Sequence, residues 1–300
     1  MTASLEDVTT SQQHREMLYP TVRIQSGNAW GSGTVIYSKP DRKGVYHTYV
    51  ATCEHVVDDL IKVEKKWDSV LKVDRRTEIL GRPAVQMFYY EHLSRCKGSS
   101  GEHRAEIVAY DKDEDIAILE VERKELPIDF VAFLYPENEI PKIHVLDELF
   151  CVGAAMAHEP IMTVGHLNFM DEIIDGKEYW MSSAASIFGN SGGTVYRYSP
   201  ERKRYELLGM PARITVSFSG FSASPITHMG FFVPITRIFE LLKKNNLEFI
   251  SDITKTYEEC MEERRKVQER ERRLVMARIG EVEEDQPKKQ VEEKQPQPHP

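Results

Sequence analysis

The sequence predicts an all-β fold of two six-stranded antiparallel β-barrels, with helices added at the C-terminal end. Three observations carry this expectation. From Tyr19 to Pro234 the chain reads as about a dozen short runs rich in Val, Ile, Tyr and Phe, bounded by Gly, Pro, Asp and Ser clusters. Helical periodicity is scarce until Ile235. The span is roughly two hundred residues, a length that a pair of barrels fills as one unit.

The elements follow in order. Residues 1–18 are polar and are expected to be a mobile N-terminal segment. Strands are then predicted at "PTVRIQ", "GSGTVIYS", "YHTYVATC", "AVQMFYY", "AEIVAYD", "DIAILEV", "ELFCVGAA", "MTVGHLNFM", "EYWMSSA", "GGTVYRY", "ELLGMPARITV" and "MGFFVPI". "HVVDDLIKVEKKW", from His55, reads as a short helix. In "ITRIFELLKKNN" the residues Ile235, Ile238, Phe239 and Leu242 recur at helical spacing, so a helix docked on a barrel is expected there. Residues 251–280 read as a charged helix. Ile253, Cys260, Val267 and Leu274 recur every seven residues in it, but Arg264, Glu271 and Arg278 interrupt the companion seam. A solvated helix is therefore expected rather than a coiled coil. Residues 281–300 are Pro, Gln and charge, and are expected to be disordered.

Bulk properties exclude several functions. A net charge of −9 argues against nucleic acid as a general partner, because phosphate neutralisation needs a basic surface. No apolar run is long enough to span a membrane, and the N-terminus lacks the pattern of a secretory signal. A cytoplasmic, reducing location is the resulting expectation. Cys53, Cys96, Cys151 and Cys260 are scattered with no CxxC pair, so no metal site and no other cofactor is expected.

The segment "SIFGNSGGTVY" places Ser191 among Gly189, Gly192 and Gly193. Glycines at this density weaken any helix or strand. The two readings are a tight surface turn and a nucleophile on a bent loop whose N–H groups face a developing oxyanion. A nucleophilic serine needs a base. In "YVATCEHVVDD", His55 stands at the end of a β-branched strand, which would fix its ring. The base needs an orienting acid. In "YDKDEDIAILEV", Asp115 opens an apolar strand and can be drawn inward, whereas Asp111 and Asp113 sit further out. The same stretch begins like a calcium loop, but Ile116 occupies the position that requires Gly. The order His55, Asp115, Ser191 is one of three known chain orders for such a triad. Its spacing suits a first barrel carrying His and Asp and a second carrying Ser.

With these residues in place the chain resembles the trypsin-like serine proteases, and within them the HtrA/DegP type. "GSGTVIYS", "VATCEHVV", "DEDIAILEV", "IMTVGHLNF", "SSAASIFGNSGG" and "HMGFFVPI" resemble that group's motifs, over roughly residues 29–240. The resemblance implies a chymotrypsin-like double barrel over residues 19–250, with the site in the cleft between barrels. It implies a serine endopeptidase acting on protein or peptide substrates, with Ser191 as nucleophile, His55 as base and Asp115 as orienting acid. Gly189, Asn190 and Ser191 would make up the oxyanion hole, with the backbone N–H groups of Gly189 and Ser191 as its donors. Ala185 falls at the base of the primary pocket, followed by Ser186, Ile187 and Phe188, and Ile214 falls on its wall. With no acid there, a small or medium apolar side chain is expected before the scissile bond. The alternative is a protease fold retained as a peptide-binding or assembly module. Three departures stand out. Asn190 replaces the acid that pairs with a freshly cut N-terminus in digestive members, so activation by such a cut is not expected. Glu54 stands beside His55, where small or amide residues are usual; period two would turn it to the other strand face. No PDZ-like segment follows. The resemblance leaves the oligomeric state open.

Overall fold

The computed structural model describes residues 5–27, 29–68, 73–91, 93, 95–99, 101–122, 128–220 and 222–284. Two closed barrels of six strands each form its body, as the sequence predicts.

The first barrel uses β1 (Thr21–Ser26), β2 (Ala29–Pro40), β3 (Tyr46–Thr52), β6 (Ala84–Glu91), β8 (His103–Asp111) and β9 (Ile116–Val121); β4 and β5 are described below. Its order is β1-β2-β3-β9-β8-β6, and β6 closes on β1 with Val22 opposite Met87. A further strand, β7 (Arg95–Ser99), extends β6 outside the ring. Val22, Ile24, Val35, Val50 and Leu119 fill the interior and are all essentially inaccessible. Closure leaves the six ring strands without a free edge.

The second barrel uses β11 (Glu148–Gly153), β12 (Ile161–Ile174), β13 (Lys177–Ser182), β14 (Thr194–Ser199), β15 (Arg204–Ser219) and β16 (Ser222–Pro234). Its order is β15-β14-β11-β12-β13-β16, closed by β16 on β15. The short β10 (Phe133–Leu134) adds in parallel to β15. Leu149, Leu167, Tyr196, Leu207 and Phe232 form the core. Helix α2 (Ile235–Lys244) follows β16 and buries Ile235, Ile238, Phe239 and Leu242, with Leu241 in addition to the expected four.

Four expectations are corrected. The helix expected from His55 is absent: two single 3₁₀ turns, Glu54–Val56 and Asp58–Leu60, lead into a hairpin of β4 (Ile61–Asp68) and β5 (Val73–Leu80). Ile61, Val63 and Trp67 alternate at period two there, and that period governs. Residues 5–18 are not a free segment. Helix α1 (Leu5–Gln13) runs into a wider turn, His14–Leu18, that docks on the second barrel. Met17 is fully buried, Gln12 donates to Lys203 O, and the Glu16 carboxylate accepts from Tyr205 N. The charged helix α3 spans Tyr257–Glu284, starting later than residue 251 and ending beyond 280. Tyr257 stacks on His47, Cys260 is buried, and Arg264 donates to Val108 O, which fastens the start of the helix to the first barrel. Ile253 is 94% exposed and Val267 and Leu274 are exposed, so the sevenfold repeat buries only Cys260. Finally, residues 281–284 belong to α3 rather than to a disordered tail; the remainder of that tail, 285–300, lies outside the described residues.

Candidate active site

The two barrels are joined where "GSG" of β2 meets the loop around Ser191. The Ser32 hydroxyl donates to Gly189 O (2.6 Å) and accepts from Ala154 N (2.7 Å), while Ser32 N donates to Ser191 O (2.9 Å). Thr52 Oγ1 donates to Ser32 O (2.8 Å), and Thr34 and Thr194 share a hydrogen bond across the seam. All these side chains are fully buried. Ser32→Ala would leave Gly189 O and Ala154 N without that partner. A loss of about 1–3 kcal/mol in stability is expected, read by urea unfolding; an unchanged midpoint would show that the seam is held elsewhere.

β3 ends at Thr52, and the following 3₁₀ turn carries His55 into the open. Asp115 lies just before β9 with φ of 55°, in the left-handed region that Asp tolerates better than most residues. That turn buries its carboxylate against His55. His55 N donates to Asp115 Oδ1 (3.0 Å), and His55 Nδ1 lies 2.9 Å from both Oδ1 and Oδ2. The two rival acids are excluded by position. Asp111 accepts the N–H groups of Asp113 and Glu114 and pairs with Lys244, while Asp113 is exposed. Burial pulls the His55 imidazole down, but the hydrogen bond and charge of Asp115 outweigh it, helped by Asp58 and Glu54. Its pKa lies above the ordinary histidine value. With Nδ1 spent on Asp115, Nε2 is the nitrogen left for proton exchange.

The Ser191 loop is shaped by two glycines with positive φ. Gly189 (φ 93°) passes so close to Met156 that a Cβ would stand 2.6 Å from Met156 N. Gly192 (φ 80°) lies against the first barrel, where a Cβ would meet Thr52 Oγ1 at 2.3 Å and Cys53 N at 2.9 Å. Serine is thus held next to the strand end that carries histidine. Gly192 N is spent on Pro211 O and Gly193 N on Asn190 O. Among the described residues, Gly189 N and Ser191 N donate to no acceptor, so two neighbouring donors remain unspent. Asn190 N does not join them. It donates to Ile187 O (3.1 Å), which leaves the two expected donors, Gly189 and Ser191, on either side of it. Among the described residues Ser191 Oγ makes no hydrogen bond to His55; such bonds are often long before substrate binds.

The pocket residues are brought together unevenly. Ala185 O accepts Thr163 Oγ1 (2.6 Å) and Ser186 N donates to Thr227 O (2.8 Å), which fixes the backbone at the positions expected to line the primary pocket. Gly230 pairs with Ile214 and lies against Ser186, so Ser186 and Ile214 share one face of the β15–β16 pair. Ile187 is half-buried, whereas Phe188 is 63% exposed and stands at the rim. Glu54 lies on a 3₁₀ turn rather than a strand, so period two does not apply to it. Its side chain is buried. Burial raises its pKa, opposed by Lys112 and reinforced by Asp58 and Asp115. Ser32, Tyr179 and Arg213 escaped the sequence reading. For Ser32 the signal was its place between two glycines.

Cys53, His55 and Asp115 present ligand-type atoms within 4.8 Å of one another. The 2.9 Å spacing of His55 Nδ1 and Asp115 is that of a hydrogen bond. Ligands on a tetrahedral ion with bonds of about 2.0–2.1 Å stand roughly 3.3 Å apart. Burial also holds Cys53 as a thiol, its pKa raised well above the ordinary value.

Residues 31–201 match the family described as a trypsin-like peptidase domain, which is more than half of the chain. The chain belongs to that family. Its fold is shared by the HtrA-type protease AlgW, solved with a tripeptide, at TM-score 0.54 and 17% identity; the match covers 80% of this chain and 64% of AlgW. Deg5 matches at TM-score 0.51 and 17% identity, covering 79% of this chain and 94% of Deg5. At such identities the likeness is one of fold. The chain thus spans less than two thirds of AlgW. A search of curated proteins returned no match. Among the described residues no helix is long and apolar enough to cross a membrane.

Proposed function

We propose that the protein is a serine endopeptidase in which Ser191 attacks a peptide carbonyl, His55 takes its proton, and Asp115 holds the imidazole tautomer and stabilises the imidazolium. The carrying observation is the two-oxygen grip of Asp115 on His55 Nδ1 beside a loop with two unspent N–H donors. Gly189 N and Ser191 N would receive the oxyanion. His55 Nε2 then returns the proton to the leaving amine, and water repeats the cycle on the acyl-enzyme. The face shared by Ser186 and Ile214 presents no charge from either residue and suits a small or medium apolar residue before the scissile bond. Labelling of Ser191 by a fluorophosphonate tests the reading directly. Labelling that is abolished by Ser191→Ala and slowed by His55→Ala supports it; an unlabelled wild type refutes it.

The pH profile gives a further expected outcome. The base must be neutral, so kcat/KM falls as pH drops through the His55 pKa. That pKa is raised, and one contribution is the negative charge of Glu54. The acidic limb should therefore lie above the ordinary histidine value and move to lower pH in Glu54→Gln. A limb that stays in place in that variant would show that Glu54 carries no charge felt by His55.

A further inference from the structure

Resting on that reading, we propose that Arg213 forms a cationic subsite which selects substrates with a carboxylate side chain at the second or fourth residue before the scissile bond. The argument starts from the edge of β15. Over Arg204–Gly209 this strand has β14 on one side, but beyond Gly209 its described strand partner is β16 alone. Pro211 O, at the start of that stretch, accepts Gly192 N (3.0 Å), one residue past Ser191. From Ala212 onward the strand therefore has, among the described residues, one edge without a strand partner. An extended peptide can add there as a strand, with main-chain bonds supplying affinity and alternate side chains supplying choice.

Alternation then assigns the faces. Ile214 and Gly230 share a face with Ser186. Arg213 precedes Ile214 and points to the opposite face. A peptide residue seated against the Ile214 face leaves its predecessor, and the residue two before that, on the Arg213 face. The guanidinium lies 5.0 Å from the ring centroid of buried Tyr179 on β13. The Arg213 side chain is 35% exposed, so it is open to a ligand.

Arg213 already holds a carboxylate. Its Nη1 lies 2.7 Å from Oδ2 of Asp175, in the turn between β12 and β13. Asp175 is 73% exposed, so this pair is largely solvated and readily exchanged. It acts as a placeholder that a substrate carboxylate displaces. A guanidinium also offers donors enough to grip the incoming group in a forked geometry.

The test uses the full chain and peptides identical except for Glu, Gln or Lys at the second and fourth residues before the cut. Wild type should favour Glu over Gln by roughly three- to tenfold in kcat/KM. Arg213→Gln should erase that gap, Arg213→Glu should turn the preference to Lys, and Asp175→Asn should widen the Glu preference. Binding of the same peptides to Ser191→Ala, read by fluorescence anisotropy, repeats the comparison without cleavage. A wild type that cuts nothing thus refutes the hydrolytic reading while the anisotropy gap still decides this one. Equal use or binding of Glu and Gln peptides, a Glu preference that survives Arg213→Gln, or a gap that fails to widen in Asp175→Asn would each overturn it.

Discussion

Ser191→Ala and His55→Ala should each abolish peptide hydrolysis, lowering kcat by about 10⁶ if the residues act as one unit, and the double variant should be no worse than either single one. The structure gives the reason for non-additivity. Asp115 fixes the imidazole through Nδ1, which leaves one nitrogen to activate one hydroxyl. Without the hydroxyl the base has nothing to deprotonate, and without the base the hydroxyl is a poor nucleophile. Neither substitution creates a core cavity, since Ser191 is half-buried and His55 exposed, so thermal unfolding should be nearly unchanged. Turnover above a few per cent of wild type in Ser191→Ala would refute the proposed nucleophile.

Gly189→Ala should cost about 10² to 10³ in kcat, with much less change in KM. At φ of 93° a side chain is strained whatever the space, and here the added methyl would press on Met156 N. The loop must rotate to relieve both, and rotation turns the Gly189 N–H away from its partner at Ser191. The Ser32 bond to Gly189 O ties the same peptide to the first barrel, so displacement should also loosen the seam. Fluorophosphonate labelling should slow in parallel with turnover. A variant with wild-type kcat would remove Gly189 from the oxyanion site.

The barrels were legible because their strands carry the runs of Val, Ile, Leu and Tyr that a closed, filled interior demands. β4 and β5 were not. Lys62, Glu64, Lys65 and Lys66 crowd β4, and a charged ribbon looks like a solvated helix until its period is counted. The docking of α1 was hidden for a related reason. It rests on Gln12, Gln13 and Glu16, polar groups that read as solvent-facing, with Met17 as the buried anchor. In the site, His55, Asp115 and Ser191 were visible as residue types at the ends of predicted strands. The bond from Asn190 N to Ile187 O depends on how the loop folds back, which no residue type announces. Arg213 sits within an apolar run, "MPARITV", whose face toward the cleft is set by a register shift after Pro211.

Helix α3 has a consequence of a mechanical kind. Tyr257, Cys260 and Arg264 tie its start to the first barrel, and every described side chain from Arg265 to Leu274 is exposed. From Arg265 to Glu284 the helix advances about 30 Å at 1.5 Å per residue. Salt bridges such as Arg265–Glu262 and Lys266–Glu263 brace it along its own length. The result is a strut clamped at one end. It holds its far end well clear of the barrels, and a small tilt at Tyr257 becomes a large sweep at the tip.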